Sequence, residues 1–428
     1  MAIASIEVFS GSKHFGDRVV IIIHLSSASF DSGAGIAVLT LHKSMLARGI
    51  DSRLYSRFGT NEDVPEAVFS YPNTIVRVIA KFYYWFDRLL IKSLGYRGSS
   101  HFSLLKRGGT WPGYQVLKNA DIIHLHWVGD SFLNLRDLEG LKAKFVWTLR
   151  DWWPLSGGWH MPHQGDQFFT NGPPCPLTLN RFLFNLAAKE KLKKASFLKN
   201  TSKVTVLAQS NFMRKDAEKA LDLLPGSISI MPSIINDAVY KYIDKKSARE
   251  RLGLPLDTSL IAVGATNVND AYKGMHILRE IPKKSKVSGS LFLVFGSGEV
   301  TLPDEVQRLN YGFVSSESMM RDIYAASDIL LCPSMYESFG KIALESMACG
   351  TPVVAFDGTG PAEIIERVRG GSVAIPNDGA SFFCEAEKYL GKITEDGRRN
   401  LAYRARQEYS VERVVRKHTN LYHDLLRD

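Results

Sequence analysis

The sequence is poor in cysteine. Four cysteines occur among its 428 residues, and no two of them form a Cys-x-x-Cys pair; they are Cys175, Cys332, Cys349 and Cys384. This wide spacing argues against the disulfide framework of small secreted proteins and gives no basis for a thiolate zinc site. We therefore expect the protein to work in a reducing cytosol.

Long hydrophobic runs are missing as well. No stretch approaches the length of a membrane-spanning helix, and the N-terminal MAIASIEVFSGSKHFGDR lacks the basic start and apolar run of a signal peptide. These absences predict a cytoplasmic protein, either soluble or held at the cytoplasmic face of the inner membrane by surface contact alone.

Composition and charge set broad limits on the class of protein. Apolar residues make up 45% of the chain and charged residues 23%, which is typical of folded proteins. The length predicts two domains of about 200 residues each. The net charge of +9 would suit nucleic acid, anionic lipid or a phosphorylated ligand. No recognition helix or aromatic-basic RNA-binding motif is found, so we expect no nucleic-acid partner.

The segment from residue 75 to 97 is both basic and aromatic. At helical spacing its basic residues fall near one face, among apolar residues such as Phe82 and Trp85; they are Arg77, Lys81, Arg88 and Lys92. One interpretation is a helix that lies on an anionic membrane surface. The other interpretation is an ordinary helix that packs on the core and has a solvated basic edge, since stripes of this kind are common.

Strand and helix patterns alternate along the first half of the chain. Near-continuous apolar runs predict buried strands of a parallel sheet: RVVIIIHLSS, DIIHLHWV, KFVWTLRDWW, KVTVLAQS and SISIMPSI. Helical patterns follow two of them, IAVLTLHKSMLARG and NFMRKDAEKAL. Strands that alternate with helices predict an α/β fold with a doubly wound parallel sheet.

The alternation lapses between Asn236 and Asp257 and then restarts. The second set of predicted strands is SLIAVGA, SLFLVFG, LNYGFV, DILLCPS, TPVVAF and SVAIP, and an amphipathic helix ends the chain. We expect an N-terminal domain over 1–236, a C-terminal domain over 237–408 and a final helix over 409–428. Two such sheets place a ligand cleft where the carboxyl ends of their strands face each other.

The segment 334–366 carries the clearest chemical signal. In SMYESFGKIALESMACGTPVVAFDGTGPAEIIE, Glu337 and Glu345 are eight residues apart. A helix that begins near Ser338 would present its first free amides to an anion such as phosphate. Those amides belong to Phe339, Gly340 and Lys341. The two carboxylates are suited to accept hydrogen bonds from the hydroxyls of a nucleotide sugar.

This Glu-x7-Glu segment resembles the retaining glycosyltransferases of the large family that includes sucrose-phosphate and glycogen-type synthases. The resemblance implies the GT-B fold, two Rossmann-like domains facing across a cleft. It also implies that Glu337 contacts the donor sugar and Glu345 the ribose, and it adds donor contacts at Gly264, Val314 and Ser338. The expected donor is a UDP- or GDP-sugar, and no metal or cofactor is expected.

Two further segments resemble donor-binding parts of that family. VGATNVNDAYKGMHIL places Lys273 where the family supplies a lysine to the donor diphosphate, although Ala265 and Tyr272 stand where many relatives carry an arginine; Lys341 is a possible replacement. DSGAG resembles the Gly-rich turn after the first strand, and Gly33 and Gly35 would let the backbone approach the diphosphate or acceptor. A plain tight turn is the alternative for DSGAG.

The pair DIIHLHWVGD and FVWTLRDWW resembles a subgroup that works in capsule, O-antigen and exopolysaccharide assembly. Arg150 stands where that subgroup has an active-site histidine, beside a retained Asp151, and arginine cannot exchange a proton near neutral pH. Arg150 could bind phosphate or an anionic acceptor, or its presence could mark an inactive relative. We expect His126 and Trp127 to line the acceptor cleft.

Metal chemistry is not expected. His124 and His126 share a strand face, but spacing suggests no third ligand for zinc. No Asp-x-Asp occurs, which argues against the metal-dependent single-domain transferases.

The resemblance thus predicts a retaining transfer to a saccharide or lipid-linked saccharide, with Glu337, Lys273, Arg150 and Asp151 as catalytic residues. A nucleotide-sugar epimerase of the same fold and a non-catalytic binding protein remain alternatives. The sequence identifies neither the sugar nor the acceptor.

Overall fold

Two parallel β-sheets organise the chain. The structure is a computed structural model that describes residues 20–30, 32–57, 68–69, 74–94, 96, 101–105, 114–162, 181–200 and 202–427. Within these ranges the first sheet has seven strands in the order β3-β2-β1-β4-β5-β6-β7. Their bounds are β1 (Ile22–Ser26), β2 (Ser52–Ser56), β3 (Val68–Phe69), β4 (Ile122–Leu125), β5 (Lys144–Leu149), β6 (Val204–Ala208) and β7 (Ser229–Ile230).

The helices of this N-terminal lobe connect those strands. They are α1 (Gly33–Leu46), α2 (Thr74–Ser93), α3 (Tyr114–Leu117), α4 (Arg136–Glu139), α5 (Arg181–Leu198) and α6 (Asn211–Leu221), with a 3-10 turn at Trp153–Leu155. Every strand pairing is parallel, as the alternation of strand and helix patterns predicts.

The second sheet forms a C-terminal lobe with six described strands in the order β10-β9-β8-β11-β12-β13. They are β8 (Leu260–Asn267), β9 (Leu291–Ser297), β10 (Arg308–Gly312), β11 (Ile329–Cys332), β12 (Val353–Phe356) and β13 (Gly371–Ala374). The helices are α7 (Lys245–Leu252), α8 (Glu317–Ala326), α9 (Lys341–Ala348), α10 (Gly360–Val368), α11 (Gly379–Glu387), α12 (Glu395–Glu408) and α13 (Val411–Arg427), with 3-10 turns at Ala271–Lys273 and Met275–Glu280.

Both faces of the first sheet are buried, which explains its unbroken apolar strands. In β1, Ile23 and Leu25 join the core on one face, and Ile22 joins a separate core on the other. That second core includes Val414 and Tyr422 of α13, so the last helix of the chain packs on the N-terminal lobe. No helix among the described residues is long and apolar enough to cross a bilayer.

The strands β2 and β3 lie in the part of the chain where the sequence pattern is weakest, and no strand was predicted there. Cys175, the first residue of the DSGAG motif and the last residue of the 75–97 segment lie outside the described residues, as does the side chain of Arg77.

Candidate active site

A cavity of about 620 Å³ lies between the two lobes. One wall is the face of α1 that carries Gly33, Ile36, Thr40 and Lys43, which recur at helical spacing. The other walls come from the carboxyl ends of β8, β9, β10 and β11 and from the start of α9. This is where an open parallel sheet binds ligands, and the volume suits a small-molecule ligand.

Lys273 and Glu337 form an ion pair on the cavity wall. The Lys273 ammonium donates to Glu337 Oε2 at 2.6 Å, and about one sixth of each side chain is exposed. Burial alone would lower the pKa of Lys273, but the Glu337 carboxylate raises it above its ordinary value. Lys273 therefore carries a full positive charge at neutral pH.

Two glycines with a left-handed backbone conformation lie next to Lys273 and Lys341 and fix the turns that carry them. Gly274, with φ of 68°, packs so closely on Pro333 that a Cβ would lie 1.9 Å from its carbonyl oxygen. Gly340, with φ of 94°, similarly packs on Pro361. Because L-residues avoid this conformation and a side chain would clash, both turns require glycine. Lys273 thus precedes one obligatory turn and Lys341 follows the other.

Glu345 forms a second pair with Lys341. The Lys341 ammonium lies 3.3 Å from Glu345 Oε1, and the Tyr324 hydroxyl donates to Oε2 at 3.2 Å. Burial raises the pKa of the Glu345 carboxyl, and Lys341 and Tyr324 oppose this rise. All three residues line the cavity. Two ammonium–carboxylate pairs, Lys273 with Glu337 and Lys341 with Glu345, therefore lie on the cavity wall.

The helix after Glu337 begins later than the sequence predicts. Helix α9 starts at Lys341 instead of near Ser338, because Gly340 adopts a left-handed conformation at the N-cap. The Ser338 hydroxyl donates to the carbonyl of Arg150, and Phe339 packs in the core of the C-terminal lobe. Of the three amides expected to face an anion, only that of Lys341 belongs to the first turn of the helix.

The remaining predicted donor contacts divide between cavity wall and packing. Gly33 and Val314 line the cavity, and the space beside Gly33 is open. A Cβ at Gly35 would lie 2.0 Å from the Ser29 carbonyl oxygen, and one at Gly264 would lie 2.1 Å from that of Phe295. Gly35 and Gly264 are therefore needed for close packing of the backbone, and the residues that follow them, Ile36 and Ala265, line the cavity.

Arg150 is half-buried, and its guanidinium points into the N-terminal lobe. Its guanidinium donates to Ser233 Oγ at 3.1 Å and lies 3.3 Å from His126 Nδ1. Burial lowers the pKa of Arg150 to about 10, so the side chain stays charged at neutral pH. Neither Arg150 nor His126 is among the described residues that line the cavity.

Asp151 anchors a buried hydrogen-bond network. Its Oδ2 accepts from Trp127 Nε1 at 2.7 Å and lies 2.6 Å from His160 Nδ1, and its Oδ1 caps the amide of Trp153. His160 Nε2 in turn lies 2.9 Å from Ser103 Oγ. Burial lowers the pKa of His160, and Asp151 opposes that effect. Neither Asp151 nor Trp127 is among the described cavity-lining residues.

A third histidine joins His124 and His126, although spacing suggested none. The β1–β4 register places His24 opposite His124, and ring nitrogens of the three residues lie within 4.8 Å of one another. His124 already bonds to Tyr422 and Thr148, at 2.6 and 2.7 Å. The adjacent Arg150 cation disfavours a second cation here. The three rings form a buried histidine group that the sequence did not predict.

The cavity also contains residues that sequence reasoning missed. Thr40 and Lys43 lie on the same face of α1 as Gly33. Their helical spacing from Gly33 could have predicted that they line the cavity. Tyr240, Tyr324 and Glu317 come from the linker and α8, and no local pattern marks them.

Comparison with known proteins adds family information for the C-terminal lobe. Residues 257–391 match the family model described as Glycosyl transferases group 1. The chain is 26% identical over 211 residues to N-acetyl-alpha-D-glucosaminyl L-malate synthase of Bacillus anthracis, a match that covers 47% of this chain and 55% of that relative. The chain therefore spans only about half the length of such relatives.

Solved structures resemble this chain over nearly its whole length. Sucrose-phosphate synthase from Thermosynechococcus elongatus has a TM-score of 0.63 at 16% identity, covering 95% of this chain and 99% of that one. Anabaena Alr3699/HepE in complex with UDP-glucose has a TM-score of 0.59 at 16% identity, covering 94% and 98%. The predicted fold class is confirmed: two parallel α/β sheets in the GT-B arrangement.

Proposed function

We propose that this chain is a retaining glycosyltransferase that moves a sugar from a nucleotide-sugar donor to a saccharide acceptor. The observation that carries the proposal is the pair of Lys-Glu contacts, Lys273 with Glu337 and Lys341 with Glu345, on one wall of the cavity between the lobes. Both pairs lie within the segment that matches the group 1 family.

The two ammonium groups are suited to the donor diphosphate. Lys341 is the first residue of α9, whose dipole adds partial positive charge, and Lys273 pairs with Glu337 in the loop before this helix. If both lysines donate hydrogen bonds to the diphosphate, their positive charges would stabilise the negative charge that develops on the leaving nucleotide. Lys43, exposed on the facing wall of α1, offers a third cation.

The two carboxylates would then face hydroxyl groups of the donor. Because an ammonium has three donors, Lys273 could donate to the diphosphate and to Glu337 together, and the second Glu337 oxygen would accept hydrogen bonds from the sugar. Glu345, in the second turn of α9, would accept from the ribose, held in place by Tyr324. A UDP- or GDP-sugar is the proposed donor, and UDP-glucose occupies the structurally similar Anabaena protein.

Retention is proposed through attack on the same face from which the diphosphate leaves, with the leaving group taking the acceptor proton. This route needs no separate general base. Arg150 stays charged at neutral pH, which suits a mechanism without proton exchange at that position. A product with an inverted anomeric centre, detected by NMR, would refute this part of the proposal.

The proposed acceptor is a saccharide or lipid-linked saccharide in the assembly of a bacterial capsule, O-antigen or exopolysaccharide. The segments DIIHLHWVGD and FVWTLRDWW support this, since they resemble the subgroup that performs such transfers. The proposed place of action is the cytoplasm, at the inner face of the membrane.

The first test is saturation-transfer NMR of the protein with UDP-, GDP-, ADP- and dTDP-sugars. We expect one donor to bind, and we expect Glu345→Ala to weaken binding about tenfold to a hundredfold, because a charged hydrogen-bond partner is lost. Glu366→Ala, an exposed carboxylate on α10, is the matched control and should bind normally.

Two other results would change the assignment. Binding of none of the four donors would contradict the proposal and favour a non-catalytic protein. Conversion of a UDP-sugar to its epimer without any acceptor would instead establish an epimerase.

A further inference from the structure

Helix α2 exposes an unusually apolar face. Six large apolar side chains on it are exposed, from 47% for Ile79 to 67% for Trp85 and Leu89; they are Val78, Ile79, Phe82, Trp85, Phe86 and Leu89. They recur at spacings of three and four residues, so they form one continuous strip, here called the α2 stripe. A contiguous apolar strip of this kind marks an interaction surface.

The opposite side of α2 fixes the helix to the N-terminal lobe. Ile91 is buried in the lobe's main core, and Ala80 packs against that core. The Arg57 guanidinium stacks over the Tyr84 ring at 5.3 Å. The helix is therefore held by one face while the α2 stripe points away from the lobe.

Basic residues border the α2 stripe along one edge. Lys81 and Lys92 are exposed and fall on the same side of the helix, next to Trp85. Exposed lysines beside an apolar aromatic strip fit a surface that is negatively charged outside and apolar beneath. The chain as a whole carries a net charge of +9, which attracts it toward such a surface.

We propose that the α2 stripe docks on an anionic lipid bilayer, with its aromatic side chains among the acyl chains and Lys81 and Lys92 at the headgroups. Of the occupants that an apolar face can have, a bilayer fits best, because it alone combines apolar depth with a sheet of negative charge next to the lysines. The helix would lie in the plane of the membrane.

The docked helix is joined to the part of the lobe where we expect the acceptor. Arg88 of α2 lies 3.2 Å from His101 Nδ1, and His101 Nε2 lies 3.0 Å from Asp130 Oδ1. The His101 ring also packs near Trp127, with ring centroids 5.8 Å apart. Resting on the proposed function, we expect a lipid-linked acceptor to approach the protein from this side of the N-terminal lobe.

The experiment is cosedimentation of the full chain with vesicles. One set contains only phosphatidylcholine, and the other contains equal parts of phosphatidylcholine and phosphatidylglycerol. We expect binding to the anionic vesicles and much weaker binding to the neutral ones. Lys81→Gln with Lys92→Gln should lower anionic partitioning about twenty-five-fold, because each lysine near an anionic surface adds roughly fivefold.

The apolar contribution is tested by Phe82→Gln with Trp85→Gln, which should abolish binding to either vesicle. Both residues are exposed, so the fold should persist. The matched controls are Lys283→Gln with Lys284→Gln, and Leu224→Gln with Tyr403→Gln, which change exposed residues elsewhere and should bind like the wild type. Brominated lipid should quench tryptophan fluorescence in the wild type and less in Trp85→Phe.

Several outcomes would overturn the proposal. Wild-type protein that ignores both vesicles would do so, as would a Phe82 and Trp85 variant that still binds. A stable dimer that these substitutions convert to monomer would show that a second copy covers the α2 stripe. Donor binding, measured by NMR in the same variants, should not change, so failure of lipid docking and failure of the proposed transferase activity remain distinguishable.

Discussion

The Lys273–Glu337 contact shows how a single ion pair can prepare a site for an anionic ligand. The ammonium is held between an obligatory glycine turn and a carboxylate, so its position is fixed before any ligand arrives. A preorganised charge of this kind stabilises a transition state without the cost of reorganising its surroundings.

Removing that charge should reduce turnover strongly. We expect Lys273→Met to lower kcat about a hundredfold, the usual effect of losing one preorganised donor to a developing negative charge. Lys273→Arg keeps the charge and should lose much less. Steady-state transfer kinetics with the donor identified by NMR would measure both, and equal activity in Lys273→Met and the wild type would contradict the assigned role.

At this scale the sequence predicts side chains better when they belong to a local pattern. Glu337, Glu345, Lys273 and Lys341 were all named in advance, and the structure places them on one cavity. Tyr324 was not, because it reaches Glu345 from another helix and no spacing in the sequence joins the two. The direction in which the Arg150 side chain points was not predicted either, because it depends on contacts with Ser233 and His126, which are distant in the sequence.

Two contacts between elements of different lobes lie on either side of the Glu337 loop. The Ser338 hydroxyl donates to the carbonyl of Arg150, and the Glu363 carboxylate of α10 accepts from the amides of Asn211 and Phe212 at the start of α6. The amide of Gly360, at the start of α10, donates to the carbonyl of Glu337. The Glu363 contact therefore couples the spacing of the lobes to the position of the Glu337 loop.

Glu363→Ala should loosen this connection. We expect a loss of about 1–2 kcal/mol in the free energy of unfolding, because two amides at a helix N-terminus lose a charged acceptor. Small-angle scattering should show a larger radius of gyration than in the wild type, and donor should restore it in part. Glu366→Ala, exposed one turn along α10, should leave both quantities unchanged.

Element order and sheet class were predictable, and contacts between elements were not. Buried strands such as β1 read as unbroken apolar runs because both faces of the sheet are covered. The start of α9 was placed too early, because only the left-handed Gly340 shows where the helix begins. The Glu363 contact joins residues about 150 positions apart, and a single sequence carries no signal for it.

Over the whole molecule, the last helix joins the first lobe around a buried group of histidines. The Tyr422 hydroxyl of α13 lies 2.6 Å from His124 Nδ1, and the ring of His418 lies 5.7 Å from that of His124. His24, His126 and the Arg150 guanidinium complete the group, with His42 packed near His24. In the hydrogen bonds described for His24, His124, His126 and His418, the partners are other histidines, hydroxyl groups, Arg150 and a backbone carbonyl.

Burial and mutual repulsion lower the pKa of each of His24, His124 and His126 well below its ordinary value, and burial lowers that of His418 to about 4. A lowered pKa means that the unfolded chain binds protons near pH 6.5 while the folded chain does not. The contribution of these neutral histidines to the free energy of unfolding is therefore fully present above pH 6.5. It is lost as the pH falls toward their pKa values in the folded state.

Acidification should accordingly release α13 from the N-terminal lobe before the sheets unfold. Each such histidine should make the free energy of unfolding fall by about 1.4 kcal/mol for each pH unit below 6.5. His418→Gln should reduce the dependence of the free energy of unfolding on pH by the contribution of one histidine. His276→Gln, which changes an exposed residue, should leave that dependence unchanged. Denaturant titrations between pH 7 and pH 5, with hydrogen exchange over Val411–Arg427, would measure the effect. An identical slope in His418→Gln and the wild type would show that the acid sensitivity arises elsewhere.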